Sequence, residues 1–440
     1  MLKFIKKDKQ SKRFCYQLES ISFFNLLLEW AQQFNTISYL QSNDYYKNNL
    51  SLFSYHKYDF VLAFNNTENA KTECFKYNQL ALYLKNVKDW LFGYFSYDLK
   101  EELFNLQTDN KDYLLFDKLY FFRPDIVVTS LNNKIILEAR MDIDIPSFIL
   151  DVESYSSNNS IRRQNVKFKS RVSKQNYIES VNSIKSQIQY GNIYEMNYCQ
   201  EFFDDNSEIN AWQTYKKLNS ISPTPFSAYF KQSNRYLLSA SPERFITKVK
   251  NKIISQPIKG TIKKTDNPTE NLTLIKDLKN NPKEQAENVM IVDLVRNDLS
   301  QIAKKGSVKV EELFGIYPFK QLYQMISTIS AEKSERSSSV DVIKTNFPMG
   351  SMTGAPKLSA MKFIDKYEIT KRGLYSGSVG YFSPSGEFDF NVVIRSLLYN
   401  ESNKYLSYTV GSAITIQSDA ELEYEECLLK AKAINDTFKP

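Results

Sequence analysis

The spacing of apolar residues predicts one helix and several strands in the first 150 residues. In FNLLLEWAQQF (24–34) the apolar positions recur at helical intervals, which predicts an amphipathic helix. Runs rich in aromatic and β-branched residues are typical of strands. Four such runs follow: YDFVLAF (58–64), WLFGYFSYD (90–98), KLYFFRPDIVVTS (118–130) and KIILEARM (134–141).

A polar stretch separates these elements from the rest of the chain. DVESYSSNNSIRRQ (151–164) is poor in apolar residues and rich in Ser and Asn, which is typical of a linker. We therefore divide the chain into an N-terminal region over 1–150, a linker over 151–170 and a second region over 171–440.

The second region mixes long helices with strands in no regular alternation. Helices are predicted over 174–192, closed by Gly191, over 280–306 and over 419–436. Strands are predicted over 235–240, 252–258, 387–399 and 404–417. Because strands and helices do not form repeated βαβ units, the pattern favours an α+β sandwich over a doubly wound parallel sheet.

Composition narrows the class of protein. The 440 residues are 42% hydrophobic and 14% aromatic, as in a packed globular protein. The net charge of +7 is spread along the chain, so no basic stripe predicts nucleic-acid binding. No run approaches the ~18 apolar residues of a membrane helix, and the basic N-terminus lacks the apolar core of a signal peptide. We expect neither a nucleic-acid nor a membrane partner.

Cysteine and histidine exclude several chemistries. Cys15, Cys74, Cys199 and Cys427 lie far apart, which fits neither a disulfide framework nor a zinc site and predicts a cytoplasmic protein. His56 is the only histidine, and no acidic or nucleophilic motif accompanies it. Acid–base work is therefore expected from carboxylates, lysine or tyrosine.

Lysine and glutamate supply the candidate chemistry. Lys259 lies in SQPIKGTIKK (255–264), which predicts a strand that ends in a turn, where a lysine is ordinarily a solvated cation. Two helices each carry a glutamate pair at i, i+3, so each pair shares one helical face. Carboxylates from two helices without histidine suit Mg²⁺, although such pairs are also ordinary on solvated faces. The pairs are Glu284 with Glu287, and Glu423 with Glu426.

The predicted strand over 387–399 ends in an arginine. Period-two alternation places Asp389, Asn391, Val393 and Arg395 on one face. Arginine binds a carboxylate through two parallel hydrogen bonds, so this face either lines an anion-binding cavity or is the half-exposed edge of an antiparallel sheet. The small residues of VGSAIT (410–415) would let backbone N–H groups approach an anion.

Ten segments in order resemble the chorismate-utilising enzyme family, over roughly residues 90–440. They are FGYFSYDL (92–99), GNIYEMNYCQEF (191–202), SASPERF (239–245), PIKGT (257–261), AENVMIVDLVRNDLSQI (286–302), GSVKVEELF (306–314), FPMGSMTGAPK (347–357), GLYSGSVGYF (373–382), FNVVIRSL (390–397) and DAELEYEECLLKA (419–431). The resemblance implies a layered α/β/β/α sandwich of mostly antiparallel sheets with helices outside.

Within the family, PIKGT resembles the members that aminate chorismate at C4 to give 4-amino-4-deoxychorismate. The resemblance implies that Lys259 attacks the ring and expels the C4 hydroxyl before ammonia displaces the lysine. Keeping a lysine of pKa ~10.4 neutral at pH ~7.4 costs about 4 kcal/mol, at ~1.36 kcal/mol per unit. We expect burial and a nearby Mg²⁺ to lower that cost.

The resemblance also implies roles for other residues. Glu243 would be the general acid for the departing hydroxyl, and Glu287 and Glu426 would hold Mg²⁺, with Glu423 and Glu284 near the metal through water. Substrate contacts would come from Thr261, Tyr375, Arg395, Lys430 and the backbone around Gly411.

The sequence departs from the family pattern at three positions. Gln324 stands where many relatives have histidine, so it cannot shuttle protons. Gly411-Ser412-Ala413 replaces a segment richer in glycine, which narrows the room for close backbone approach. Glu195 stands where amino-transferring members usually have glutamine and where isochorismate synthases have a lysine that activates water. An acid there argues against water as the nucleophile.

Three other functions stay open. Component I of anthranilate synthase aminates at C2 and releases pyruvate, but its site segment usually has alanine where this chain has Lys259. A pyridoxal phosphate lysine would need a phosphate-binding cup, which the sequence lacks. The departures also fit a weakly active chorismate-binding protein.

The resemblance also bears on partners. No glutaminase motif is present, so ammonia must come from solution or from a glutamine amidotransferase partner. The expected function is Mg²⁺-dependent amination of chorismate in p-aminobenzoate and folate biosynthesis.

Overall fold

The computed structural model describes residues 2–45, 55, 58–65, 76–156 and 166–439. His56 and Cys74 lie outside the described residues, as do residues 157–165 of the predicted linker. None of the described helices is both long and apolar enough to cross a membrane.

Each of the apolar runs predicted as a strand contains at least one strand, and further strands form outside them. The bounds of the strands are β1 Leu2–Asp8, β2 Arg13–Leu18, β3 Thr36–Gln41, β4 Phe60–Phe64, β5 Leu91–Phe95, β6 Leu119–Phe122, β7 Ile126–Leu131, β8 Lys134–Arg140, β9 Lys169–Ser170, β10 Glu195–Asp204, β11 Phe226–Gln232, β12 Arg235–Ser241, β13 Arg244–Val249, β14 Lys252–Gln256, β15 Ile258–Lys263, β16 Lys309–Pro318, β17 Leu322–Glu332, β18 Gly354–Ala355, β19 Ser378–Phe382, β20 Phe388–Asn391, β21 Ser396–Asn400 and β22 Tyr405–Ile414.

The helices begin at side-chain caps and prolines that the sequence supplies. Asn281 accepts hydrogen bonds from the first backbone N–H groups of the longest helix, and Pro282 follows it, since a proline at the first helical position loses no hydrogen bond. The bounds are α1 Ile21–Trp30, α2 Tyr77–Asn86, α3 Lys100–Phe104, α4 Ile145–Glu153, α5 Lys174–Gln189, α6 Ala211–Ile221, α7 Pro268–Asn280, α8 Pro282–Ser300, α9 Ser339–Asn346, α10 Lys357–Tyr367, α11 Ala420–Lys430 and α12 Lys432–Thr437.

Two antiparallel sheets organise these elements. The larger has the order β1-β2-β8-β7-β4-β3-β11-β12-β21-β22-β10-β18, with β9 also paired to β10. The smaller has the order β15-β17-β14-β13-β20-β19-β5-β6, with β16 also paired to β17. Neighbouring strands run antiparallel in every ladder of the described residues.

The sheets pack face to face, with helices on their outer surfaces. Between them, Phe230 of β11 contacts the rings of Tyr94 and Phe122 edge-on, at centroid distances of 5.5 and 6.0 Å. The outer face of the larger sheet buries apolar residues of α1, α4, α5 and α6, and the smaller sheet packs against α8 and α9. The predicted α+β fold, an α/β/β/α sandwich, is confirmed.

The two regions divided in the sequence share both sheets. β3 of the first region pairs with β11 of the second, and β5 pairs with β19. The linker over 151–170 therefore stays a prediction, and strands from both sides of it pair within the same two sheets.

Two predicted strands are wrong, and the second matters for the site. The run 118–130 forms two strands, β6 in the smaller sheet and β7 in the larger. The run 387–399 forms two strands, β20 in the smaller sheet and β21 in the larger. Arg395 adopts a φ of 51°, outside the extended region, and the chain crosses from one sheet to the other between these strands. Period-two alternation therefore ends before Arg395, whose side chain does not continue the face that begins at Asp389.

Candidate active site

A cavity lies where the two sheets come together, with a solvent-accessible volume of about 160 Å³. Its wall combines β15 and β17 of the smaller sheet with β22 of the larger, and with α8 and α11. All of the residues predicted for the site line it except Glu195 and Ser412. Those lining it are Glu243, Lys259, Thr261, Glu284, Glu287, Gln324, Tyr375, Arg395, Gly411, Glu423, Glu426 and Lys430.

A bulge in β15 sets the direction of Lys259. Along the pairing of β15 with β17, Ile258 lies opposite Ile326 and Thr261 opposite Gln324, so the register shifts between them. Gly260 takes a φ of 97°, which L side chains rarely adopt. Such a bulge re-aims neighbouring side chains, and here Lys259 and Thr261 both reach the cavity wall.

Lys259 forms a buried ion pair. Its Nζ donates to Oε1 of Glu195 at 2.6 Å, and the two residues are 9% and 1% exposed. Burial would lower the pKa of Lys259, but the negative charges of Glu195 and Glu287 outweigh it and the pKa is raised. The expectation that burial would favour the neutral amine is therefore wrong for this state of the site, because a carboxylate is buried with the lysine.

Glu195 begins β10 and sits behind the cavity wall. β10 pairs with β22 on one side and β18 on the other, so the backbone of Glu195 is held within the larger sheet. Its second oxygen, Oε2, is buried and has no hydrogen-bond partner.

Glu243 has the protonation expected of an acid. It lies in the turn between β12 and β13, where Ser351 donates a hydrogen bond to its Oε1 at 2.6 Å. Burial raises the pKa of Glu243 to about 7, although Ser351 and Lys259 act in the opposite direction. A carboxyl with this pKa is substantially protonated at neutral pH and can give a proton.

The two helices bring their four glutamates to the cavity, as their spacing allows. Glu284 and Glu287 come from α8, and Glu423 and Glu426 from α11. Burial raises the pKa of Glu287 to about 7, and Oε1 of Glu287 has no hydrogen-bond partner.

Lysines balance part of this acidic wall. Nζ of Lys283 lies 3.5 Å from Oε1 of Glu423 and 3.8 Å from Oε1 of Glu287. Lys430 pairs with Glu426 at 2.6 Å. Although burial alone would raise the pKa of Glu426, Lys430 brings it below its usual value.

Protein ligands alone do not form a closed metal site. Within the described ranges, no three His, Cys, Asp or Glu side chains converge as a metal cluster. Mg²⁺, however, takes only one or two carboxylates and completes its octahedron with waters and substrate oxygens. Because Glu287 and Glu426 line one cavity and Oε1 of Glu287 makes no hydrogen bond, the donor set fits Mg²⁺ held jointly by protein and substrate.

The backbone around Gly411 closes the other side of the cavity. A Cβ at Gly411 would lie 2.5 Å from Sγ of Cys199, so only glycine fits there. Lys430 donates to the Gly411 carbonyl at 3.0 Å. The Ser412 hydroxyl turns to Glu423 rather than to the cavity, which gives that carboxylate a fixed partner.

Arg395 is the cation best placed for an anionic ligand. Its guanidinium makes no hydrogen bond or ion pair with the side chains that the structure describes, and its burial lowers the pKa of Arg395 to about 10. Tyr375 and Gln324 lie on the same wall, and Oε1 of Gln324 is buried without a partner. Unpaired polar groups of this kind are costly unless a ligand satisfies them.

Four polar residues of the wall were not predicted: Asn197, Lys283, Ser351 and Thr409. Ser351 and Asn197 lie within family-like segments, but nothing in their spacing marks them. Lys283 precedes Glu287 by one helical turn, so the i, i+4 pairing was available as a signal.

A family model for chorismate binding enzymes matches residues 36–436. The chain belongs to the chorismate binding enzyme family. It is 33% identical over 344 residues to aminodeoxychorismate synthase component 1 of Escherichia coli (strain K12), covering 78% of this chain and 75% of that protein. It is 41% identical over 283 residues to the probable chloroplastic aminodeoxychorismate synthase of Oryza sativa subsp. japonica, covering 64% of this chain but only 31% of that protein.

Solved structures support the fold of this chorismate binding enzyme. Anthranilate synthase component I from Streptococcus pneumoniae TIGR4 superposes with a TM-score of 0.73 at 22% identity, covering 92% of each chain. MenF, the menaquinone-specific isochorismate synthase from Escherichia coli, superposes with a TM-score of 0.78 at 16% identity, covering 100% of this chain and 95% of the other. At these identities the likeness establishes the fold alone.

The bulge at Gly260 can be tested against a second glycine. Alanine at a positive φ costs about 1–2 kcal/mol wherever it occurs, so Gly191→Ala, at φ 78° with open space around it, is a matched control. At Gly260 the added Cβ would also lie 3.0 Å from Oε2 of Glu284 and 3.2 Å from Cβ of Met325. We expect Gly260→Ala to lower the free energy of unfolding further and to weaken chorismate binding about tenfold or more, since small displacements of site residues are costly. Urea titration and a chorismate binding titration measure both. Equal effects of the two variants on binding would contradict the role of the bulge.

Proposed function

We propose that this enzyme aminates chorismate at C4 to 4-amino-4-deoxychorismate, through a covalent intermediate on Lys259. The observation that carries the proposal is the Lys259 ammonium, buried at the cavity wall within reach of a carboxylate. A lysine that merely decorated a loop would lie in water, where no geometry holds its nitrogen. The names of the Escherichia coli and rice relatives support the same chemistry.

The polar wall matches a substrate with two carboxylates. Arg395, which has no described partner, would bind one of them through its planar fork. Thr261 and Tyr375 would contact the ring and its substituents from the same side. Held in this way, the ring lies over Lys259, and positioning of this kind lowers the barrier by removing the entropy of encounter.

The chain's own groups supply the acid and the nucleophile. Nζ of Lys259 forms a bond to the chorismate ring while the C4–O bond breaks. Glu243 protonates the departing oxygen, so water leaves and Glu243 becomes a carboxylate. Its pKa of about 7 suits a group that must hold a proton and then release it near neutral pH.

Mg²⁺ completes the proposal as cofactor. Glu287 and Glu426 would hold it, with Glu423 and Glu284 orienting bound water, and the ion would neutralise the ring carboxylate of the substrate. Burial keeps the pKa of Glu287 near 7 without a cation, so a bound cation would also favour its ionised form.

Ammonia then attacks C4 and expels the lysine. We propose that a glutamine amidotransferase partner provides it, since the Escherichia coli relative is named as component 1. We propose that the reaction serves folate synthesis. We also place it in the cytoplasm, in keeping with Cys15, Cys199 and Cys427, which form no disulfide within the described chain.

Product analysis tests the function. With chorismate, Mg²⁺ and ammonium, we expect wild-type protein to form 4-amino-4-deoxychorismate, identified by liquid chromatography and mass spectrometry. Lys259→Ala should lose this activity by about 10³-fold or more, because the covalent route is closed. Lys276→Ala, an exposed lysine of α7 that lines neither this cavity nor the adjoining one, is the control and should retain it. Anthranilate with pyruvate as the products, or undiminished amination by Lys259→Ala, would contradict the proposal.

The pH profile tests Glu243. Because Glu243 acts in its protonated form, kcat/KM for chorismate should fall as the pH rises through about 7. Free ammonia must be held constant and Mg²⁺ saturating, so that neither contributes to the slope. Ser351→Ala removes a hydrogen bond that favours the carboxylate, so the pKa of Glu243 should rise and the falling limb should move to higher pH by about one unit. If the falling limb of the kcat/KM profile did not move in Ser351→Ala, Glu243 would not be the acid whose protonation the profile reports.

Metal dependence tests the carboxylates. Glu287→Gln should raise the Mg²⁺ concentration for half-maximal binding about tenfold or more, because a charged ligand is lost. Isothermal titration with Mg²⁺ in the presence of chorismate measures this, with Lys259→Ala as the background of both proteins so that no adduct forms. Asp293→Asn, an exposed carboxylate on the same helix paired with Arg296, is the control and should change nothing. Equal Mg²⁺ affinity of wild type and Glu287→Gln would overturn the assignment.

A further inference from the structure

The ion pair between Glu195 and Lys259 can do more than neutralise two buried charges, because its geometry also allows a proton to move between them. Oε1 of Glu195 is 2.6 Å from the nitrogen that the proposed function makes the nucleophile. Oε2 is buried without a hydrogen-bond partner, so half of the carboxylate has no structural task. An arrangement built only to stabilise the fold would satisfy both oxygens.

Glu195 is the carboxylate best placed to exchange a proton with Lys259. The charged groups that act on Lys259 come from several elements: Glu195 on β10, Glu243 in the turn after β12, Glu287 and Glu284 on α8, and Glu426 and Lys430 on α11. Among these, only Glu195 is within hydrogen-bonding distance of Nζ in the described structure. Glu243 is the acid of the leaving group, and its Oε1 is engaged by Ser351.

The chemistry of the proposed reaction requires such an acceptor. An ammonium group has no lone pair, so Lys259 must lose a proton before it can bond to carbon. With 9% of the residue exposed and the ring of the substrate in front of it, water has little access to Nζ. Because Oε1 of Glu195 already accepts the hydrogen bond from Nζ at 2.6 Å, the proton can pass along that bond without leaving the site.

We propose that Glu195 is the proton acceptor that converts the Lys259 ammonium into the nucleophilic amine, an inference that rests on the proposed function. The proton moves from Nζ to the Glu195 carboxylate, leaving a neutral amine and a neutral carboxylic acid. The amine bonds to the ring, Glu243 protonates the departing hydroxyl, and the nitrogen becomes a secondary ammonium. When ammonia takes C4, Lys259 leaves as a neutral amine and recovers its proton from Glu195.

The identity of the residue matters for this role. A glutamine at the same position could accept a hydrogen bond from Lys259 but could not take its proton. A glutamate at position 195 can therefore do in this chain what a glutamine could not.

The decisive variant is Glu195→Gln, which keeps size and polarity. In wild type the transferable proton stays within the pair over neutral pH, whereas in Glu195→Gln it must leave to water. The ratio of wild-type to variant kcat/KM should therefore be about 10²-fold or more near pH 6.5 and should narrow tenfold for each pH unit gained. Taking the ratio cancels the pH dependence of Glu243, which both proteins share.

A second readout isolates the first bond-forming step. Without ammonia, wild type should accumulate an adduct on Lys259 with the mass of chorismate less one water, and Glu195→Gln should form it more slowly with the same pH dependence. Glu201→Gln is the matched control for losing a buried carboxylate. Glu201 lies six residues after Glu195 on β10, and its carboxylate accepts hydrogen bonds from Arg171 and Tyr405. We expect it to lower stability without changing the pH-dependent ratio.

Glu195→Asp keeps the acid and moves it by one methylene. It should react more slowly than wild type, but the ratio of wild-type to Glu195→Asp kcat/KM should not change with pH. A purely structural role would not produce this difference from Glu195→Gln. A wild-type rate and profile in Glu195→Gln would overturn the inference while leaving the amination intact. If wild type formed neither the Lys259 adduct nor the amino product, the proposed function itself would be contradicted.

Discussion

The structure depends on one constraint: a lysine ammonium cannot be buried between two sheets without a partner. Burying an unpaired charge costs several kcal/mol, by general estimates, and breaking a buried pair costs about 3–5 kcal/mol. Lys259 lies on β15 of the smaller sheet, and Glu195 lies on β10 of the larger sheet. Lys259 can be buried between the sheets because Glu195 forms an ion pair with it there. The ion pair therefore joins the two sheets at the same place where the cavity opens.

The glutamates of α8 and α11 follow from the same geometry. Both helices lie beside the cavity, and each contributes a pair of carboxylates to a wall that already holds Lys259, Lys283 and Lys430. Burial raises the pKa of Glu287 and Glu243 to about 7, whereas Lys430 keeps the pKa of Glu426 low. The surroundings therefore give chemically identical side chains different charges: Glu426 is an anion, Glu243 can hold a proton, and Glu287 would be ionised when a cation binds.

Only some of the strands and helices could be predicted, namely those whose apolar spacing records a buried face; β10, β11, β13 and β17, for example, were not predicted. The strand predicted over 387–399 failed because the pattern continues through Arg395 while the backbone turns to a φ of 51° and changes sheets. The residues of the site were predictable through family resemblance, since spacing alone could not distinguish i, i+3 glutamates at a cavity from solvated ones. The partner of Lys259 was not predictable, because Glu195 lies 64 residues away and only the packed sheets bring them together.

The unsatisfied oxygen of Glu195 is informative because stability alone would not retain it. A buried acceptor left without a partner costs about 1–3 kcal/mol, and replacing a buried ion pair by apolar residues of similar volume is often neutral or stabilising. Gln324 and Glu287 carry the same kind of unpartnered oxygen on the same cavity wall. Oxygens without hydrogen bonds at one cavity would destabilise an ordinary core, but they suit a site whose remaining hydrogen bonds are completed by substrate, cation and a moving proton.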